Sequence, residues 1–134
     1  MKKLNRKGFT LIELLAVVVI LAVILVVTIP SVLTSMDTAK TQQLKNAANS
    51  VQEWEQKQYE IATYGSGLAT PDTHYVTPTS SGADIKGNLK YMGMADTTGV
   101  TAATAKLTDG KVCISITTNS SSKFGAQTVT SSNC

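Results

Sequence analysis

A run of uncharged residues from Leu14 to Met36 constrains this chain more than any other feature. It is 23 residues long, and most of them are Leu, Ile, Val or Ala. As an α-helix the run would extend about 35 Å, slightly more than the roughly 30 Å apolar thickness of a bilayer. The sequence therefore predicts a helix of transmembrane length. The remaining residues, 37–134, can enclose only a small hydrophobic core.

The charges divide the chain into a basic N-terminus and a neutral remainder. From Asp37 onward, eight Lys residues are balanced by eight acidic residues. Such a basic head predicts a cytoplasmic N-terminus and an exported C-terminal part. The exported part has no basic run, which argues against nucleic-acid binding. The basic residues of the head are Lys2, Lys3, Arg6 and Lys7.

One acidic residue, Glu13, stands at the head of the apolar run, within "RKGFTLIELL". Placing a charge in hydrocarbon costs about 2.5 kcal/mol or more, so this carboxylate needs either solvent or a partner. A cleaved secretory signal peptide has a shorter apolar stretch and a small-residue cleavage site, and neither is present. A plain signal anchor fits the length of the run but leaves "GFTLIE" unexplained.

The segment "KKLNRKGFTLIELLAVVVILAVILVVTIP" resembles the class III leader of a type IV prepilin. The matching features are the basic leader, Gly8, the aromatic Phe9, Glu13, the aliphatic run and Pro30. The resemblance implies that a membrane peptidase cuts between Gly8 and Phe9 and methylates the new amine of Phe9. Ala22 departs from the family pattern, because many members carry glycine there.

The resemblance also implies a partner for Glu13. In this family the carboxylate pairs with the N-terminal amine, here on Phe9, of a neighbouring subunit. Two charges that are costly alone become tolerable as a pair in a low dielectric, so Glu13 would set the register of assembly. Pro30 cannot donate to the carbonyl of Val26, which predicts a kink there. Family precedent extends this kink to local melting of the helix in filaments.

Helical patterning resumes after Pro30 and continues to about residue 62, where the glycines of "TYGSG" predict its end. One apolar stripe at 3- and 4-residue spacing predicts a face packed against a sheet. The stripe comprises Leu33, Met36, Leu44, Ala47, Val51, Trp54 and Ile61. The charged residues assigned to the other sides are Lys40, Lys45, Glu53, Glu55 and Lys57.

From Gly65 onward the composition favours β-structure. Strands are predicted within "THYVTP", "LKYMGM" and "TAKLTDGKVCISIT", with a last short strand near residues 127–130. Asp109-Gly110 between alternating segments predicts a two-residue hairpin, with Val112, Ile114 and Ile116 on one face. The expected fold class is α+β: a long N-terminal helix whose second half packs on a small antiparallel sheet.

Both cysteines, Cys113 and Cys134, lie in the part expected to be exported. Compartment and count together predict one disulfide, which bounds a Ser- and Thr-rich C-terminal loop of residues 114–133. In the resembled family the corresponding loop is exposed, and this implies that residues 114–133 face outward.

The sequence offers no set of residues for catalysis, and we expect no enzyme activity, metal or cofactor. His74 is the only histidine, so we expect neither a Ser–His–Asp triad nor a His-rich metal site within one chain. Asp84, Asp96 and Asp109 each precede a glycine closely, which indicates turns. Some pseudopilins bind calcium through loop aspartates, but no EF-hand spacing occurs here.

The predicted organisation is a leader at 1–8, a hydrophobic transmembrane and filament-core helix at 9–36, and an exported pilin domain at 37–134. The resemblance implies a structural subunit of a type IV pilus that supports adhesion or motility. Implied partners are other copies of the chain in a helical homopolymer, membrane lipid before assembly, the prepilin peptidase and methylase, and the pilus assembly machinery. It also implies residence in the inner membrane first and in an extracellular filament later. A type II secretion pseudopilin and a competence-type minor pilin are the alternatives.

Overall fold

The computed structural model describes residues 10–65, 67, 69–132 and 134. One long helix, α1, spans Leu11–Tyr64. Four strands follow: β1 (Ala83–Asp84), β2 (Val100–Thr108), β3 (Lys111–Thr118) and β4 (Gln127–Thr130). A 3-10 helix at Lys86–Tyr91 lies between β1 and β2. The chain divides into two compact units, Met1–Asp37 and Thr38–Cys134. The expected α+β class is confirmed.

The end of α1 is set by Gly65, directly after Tyr64. The backbone N–H of Gly65 donates to the carbonyl of Ile61 at 2.9 Å. A Cβ at position 65 would collide with that same carbonyl oxygen, so the chain can leave the helix here only with glycine. The helix ends within the "TYGSG" segment, as the sequence predicts.

In the second unit, the buried line of α1 consists of Leu44, Ala48, Val51 and Glu55, each with no exposed surface. The predicted stripe placed Ala47 and Trp54 on this face, but both are only half-buried. Spacings of three and four fit Ala47 and Ala48 equally well, so apolar periodicity cannot choose between the two alanines. Glu55 was assigned to another side of the helix because it is charged, and that prediction is wrong.

The sheet is antiparallel throughout, in the order β1-β2-β3-β4. Strands β2 and β3 form the predicted hairpin across Asp109 and Gly110. These two residues adopt positive φ angles of 50° and 78°, which suit the twist of a tight hairpin. The expected last strand is also present, as β4.

The core of the second unit lies between α1 and one face of this sheet. Val112, Ile114 and Ile116 on β3 are completely buried, as their alternation predicts. Ala103 and Ala105 on β2 are buried beside them, and such small side chains leave room for the helix. Burial of each large aliphatic side chain contributes about 2 kcal/mol, so β3 is the main source of apolar stabilisation in the sheet.

Two predicted strands are not strands. "THYVTP" forms turns and irregular backbone, and "LKYMGM" begins inside the 3-10 helix and continues as a turn. In the first segment Pro78 lacks a donor, and the Asp72 side chain accepts the backbone N–H of His74 at 2.8 Å, which closes a local turn. In the second, Gly93 adopts a φ of +105°, which ends any extended run.

The N-terminal half of β3 has an edge that β4 does not reach, because β4 pairs only with Ser115–Thr118. Side chains from α1 fill this gap. Gln56 Oε1 accepts the backbone N–H of Val112 at 2.8 Å, and Gln52 Nε2 donates to the Val112 carbonyl at the same distance. Two glutamine amides thus supply the hydrogen bonds that a neighbouring strand would supply.

The residue after β4 continues this protection along the edge. The backbone N–H of Ser131 donates to the carbonyl of Ile114 at 2.8 Å, and its hydroxyl accepts the N–H of Ile114 at 3.0 Å. Asn49 on α1 then holds Ser132 through its side-chain amide, at 2.7 and 3.2 Å. The C-terminal residues are therefore joined to both the sheet and the helix.

Candidate functional site: the N-terminal segment and the C-terminal disulfide

Two predicted site residues, Gly8 and Phe9, lie outside the described residues. Cleavage between them, methylation of Phe9 and its pairing with Glu13 therefore remain predictions. The described part of this segment begins at Thr10.

Glu13 is held by Thr10 in a reciprocal cap at the start of α1. The backbone N–H of Thr10 donates to Glu13 Oε2 at 2.8 Å, and the Thr10 hydroxyl lies 3.3 Å from the same oxygen. In return, the N–H of Glu13 donates to Thr10 Oγ1 at 3.3 Å. This is a capping box, in which the side chain of each residue accepts the otherwise unpaired backbone N–H of the other at a helix N-terminus.

The capping box gives the carboxylate of Glu13 a partner within its own chain. The Thr-x-x-Glu spacing of Thr10 and Glu13 is the known sequence signature of such a box, so sequence reasoning could have found Thr10 but did not. All atoms of the box belong to Thr10 and Glu13. Cleavage after Gly8 would therefore leave the box intact.

The apolar run of α1 presents its side chains outward on every side. The large apolar side chains of the run are each at least 50% exposed. Within the described residues, α1 is the one helix long and apolar enough to cross a membrane. A helix that is apolar all round needs lipid or other helices around it.

The helix continues through Pro30 without a break. The Thr34 hydroxyl donates to the carbonyl of Pro30 at 3.0 Å, and the Thr28 hydroxyl approaches the carbonyl of Leu25 at 3.4 Å. Threonine hydroxyls that bond a carbonyl of the preceding turn tend to bend a helix slightly, and proline removes the N–H donor to the carbonyl of Val26. The predicted kink and its melting in a filament stay predictions.

The expected disulfide is present between Cys113 and Cys134, whose Cα atoms lie 5.8 Å apart. Cys113 occupies β3 on the face opposite the core. The bond anchors the last residue of the sequence to the sheet, next to the Ser131 and Ser132 contacts described above. It encloses part of β3, a loop and β4.

The loop bounded by the disulfide does not face outward as a whole. Ile114, Ile116, Phe124 and Val129 belong to the core, and Thr118 is buried with its hydroxyl donating to the Gly125 carbonyl. The alternation of the two strands sends one set of side chains inward and the other outward. Only the outward set and the turns can serve as the exposed surface implied by the resemblance.

The described residues contain no group of three or more His, Cys, Asp or Glu side chains able to hold a metal ion. His74 takes part in a small surface cluster. Its Nδ1 lies 2.9 Å from Asp72 Oδ1, and its ring stacks on Tyr91 with centroids 3.7 Å apart. The backbone and side-chain hydrogen bonds from His74 lower the pKa of Asp72. This cluster connects a loop to the 3-10 helix.

Comparison with known proteins identifies the N-terminal segment only. Residues 3–29 match the family model described as the prokaryotic N-terminal methylation motif. The match includes Gly8, Phe9, Thr10 and Glu13 and ends just before Pro30. No curated protein matches the chain, and no solved structure matches it either.

Proposed function

We propose that this chain, a membrane-anchored type IV pilin-like protein with a class III prepilin leader, is a structural subunit of a type IV pilus. It is stored in the membrane and then polymerises into a surface filament through packing of its N-terminal helices. Adhesion and motility are the activities that such a filament would support.

The observation that carries this proposal is the combination of the leader with an exposed apolar helix that bears one carboxylate. The leader implies processing by the prepilin peptidase and handling by the assembly machinery. The large apolar side chains between Leu11 and Met36 are exposed in the described part of the chain, so lipid must surround them before assembly and neighbouring helices must do so afterwards. A subunit of a homopolymer meets both requirements.

Glu13 has two successive partners in this proposal. In the stored subunit its carboxylate is held by Thr10. In the filament it pairs with the Phe9 amine of a neighbouring copy, which fixes the axial register because any other register buries an unpaired charge. The N-terminus is cytoplasmic in the stored state, and the filament is extracellular.

The test combines electron microscopy of sheared surface fractions with intact-mass measurement of the fibre protein. We expect long fibres whose subunit lacks residues 1–8 and carries a methylated amine. Glu13→Gln should still insert and be processed but should assemble poorly, because it keeps hydrogen bonding and loses charge. Glu53→Gln, which alters an exposed acid on the same helix, is the control.

Three results would contradict the proposal. A mature chain that begins at Met1 would exclude prepilin processing, and normal piliation of the Glu13→Gln cells would exclude the register role. Short fibres confined to the cell envelope would instead support a secretion pseudopilin.

A further inference from the structure

Glu55 is the most unusual side chain in the second unit. It lies on the core face of α1 with no exposed surface. Neither carboxylate oxygen has a hydrogen-bond partner among the described residues. An ionised carboxylate in such a position would be costly, because burial removes its hydration and nothing replaces it.

Val76 and Tyr75, which lie next to Glu55, belong to one loop, residues 69–79, which we call the covering loop. The backbone N–H of Val76 approaches the carboxyl group without completing a hydrogen bond. The phenol oxygen of Tyr75 is also buried and has no hydrogen-bond partner among the described residues. Two neighbouring polar groups are therefore desolvated when this loop is closed.

The covering loop is attached by hydrogen bonds and by the stacking of His74 on Tyr91. The backbone N–H of Asp72 donates to Gln58 Oε1 on α1 at 2.8 Å. Asn88 Nδ2 donates to the His74 carbonyl at 3.0 Å, and the N–H of Leu107 donates to the Thr79 carbonyl at 2.9 Å. These bonds hold its middle and its end, whereas the turn over Glu55 rests on apolar contact.

No charged group of the described residues compensates Glu55. Tyr75 on the loop interacts with Glu55, and Tyr59, one turn along α1, interacts with Tyr75. A protonated phenol carries no charge, so neither tyrosine compensates the carboxylate. An ionised Glu55 raises the pKa of Tyr75 further, so the two groups disfavour each other's charged forms. Asp72 and His74 also lie on the loop and pair with each other.

We propose that the covering loop is a proton-controlled latch, which closes over Glu55 when its carboxyl is protonated and opens when it ionises. Opening gives the carboxylate and the Tyr75 phenol access to water. It also uncovers the part of α1 around Glu55 and Tyr59. The latch is a property of the second unit and does not depend on whether the chain forms filaments.

The size of the effect follows from linkage. Burial raises the pKa of Glu55 from 4.5 to about 7 in the closed state, whereas an open loop returns it towards 4.5. Protonation favours the closed loop fully below about pH 4.5, and this preference is lost as the pH rises through about 7. The ratio of closed to open loop falls by at most about 300-fold across that range.

Hydrogen exchange of the full chain in detergent micelles tests the latch. Protection factors, corrected for the intrinsic pH dependence, should be compared at pH 5 and pH 8.5. We expect the amides of residues 72–77 to lose about two orders of magnitude of protection, while amides of β3 stay much better protected. Glu55→Gln should keep the loop closed at both pH values, and Glu53→Gln should behave as the unaltered chain does.

Several outcomes would overturn the latch. Loop protection that does not change with pH, or that changes equally in Glu55→Gln, would remove Glu55 as the sensor. Equal protection of loop and sheet amides would show that opening is global unfolding. If added calcium or sodium restored protection at pH 8.5 in the unaltered chain, the buried carboxyl would be a cation site instead. None of these results bears on fibre formation.

Discussion

At the scale of single residues, Thr10 stabilises the charge of Glu13 by donating hydrogen bonds to its carboxylate within one chain. The capping box places the carboxylate against the backbone N–H of Thr10 at the N-terminus of α1, where the helix dipole also favours an anion. The carboxylate is therefore already satisfied inside one chain. Assembly would exchange this local arrangement for a contact between subunits.

We predict that Thr10→Val loosens the first turn of α1. Valine keeps the shape but removes the hydroxyl that accepts the Glu13 N–H, which costs about 1 kcal/mol. Amide exchange at residues 11–14, measured by NMR on the full chain in micelles, should be about fivefold faster. Thr10→Ser keeps the hydroxyl and should restore the original rates. Equal rates in the valine and serine variants would contradict the capping role.

At the scale of elements, the C-terminal segment is held by one covalent bond and several hydrogen bonds. The disulfide ties Cys134 to β3, while Ser131 and Ser132 bind the strand and α1. The disulfide lowers the conformational entropy of the unfolded chain, whereas the hydrogen bonds stabilise the folded state.

We predict that replacing Cys113 and Cys134 together by Ser lowers the free energy of unfolding by about 3 kcal/mol, because the closed loop is lost from the unfolded state. Thermal unfolding of the full chain in micelles measures this change. Trypsin should also cut faster after Lys123, whose side chain is 57% exposed on the loop before β4. Two free thiols in the purified protein, or unchanged stability of the double variant, would contradict this prediction.

The hydrogen bonds from α1 to the open edge of β3 form a second element-level feature. We predict that Gln56→Ala lowers the free energy of unfolding by about 1–3 kcal/mol, because the N–H of Val112 loses its acceptor. Gln42→Ala is a matched control, since Gln42 bonds Asn46 on the exposed side of the same helix. Equal effects of the two substitutions in thermal unfolding would show that the edge contact is unimportant.

The elements that sequence predicted well are those fixed by local chemistry. Asp109-Gly110 specifies its hairpin by itself, and the alternation in β3 fixes which residues enter the core. The strands predicted at "THYVTP" and "LKYMGM" failed because β-favouring composition says nothing about whether a partner strand exists. Glu55 could not be predicted as buried, because its burial depends on a distant loop and contradicts its charge.

At the scale of the whole molecule, Glu55 couples stability to pH. In the folded chain burial raises its pKa to about 7, from 4.5 for the free side chain. The folded state therefore binds this proton more tightly than the unfolded state does. The resulting stabilisation is complete below about pH 4.5, decreases as the pH rises through about 7, and is absent above that range.

We predict that the unaltered chain is less stable at pH 8.5 than at pH 5, by at most about 3 kcal/mol from this group. Asp72 and Asp96 have lowered pKa values and act in the opposite sense at more acidic pH. The informative quantity is therefore the difference between the unaltered chain and Glu55→Gln, measured by denaturant unfolding across this range. A constant difference between the two proteins would contradict the prediction.

The N-terminal methylation motif is the most specific signal in the whole sequence. The family match covers residues 3–29, while the roles of Gly8, Phe9 and Glu13 within that motif stay predictions. The glutamine contacts of α1 could not be foreseen, because Gln52 and Gln56 carry no signal until the helix and the sheet are packed together.

The contacts of Gln52 and Gln56 with β3 protect copies of the chain from pairing through an exposed strand edge. Proteins stored side by side in a membrane meet at high local concentration, and a bare strand would then recruit strands from its neighbours, as in cross-β aggregates. Gln52 and Gln56 occupy that position on β3 with groups from the same chain. Copies of the chain at high density in a membrane would therefore not aggregate through this edge of the sheet, and association would depend on the N-terminal helix.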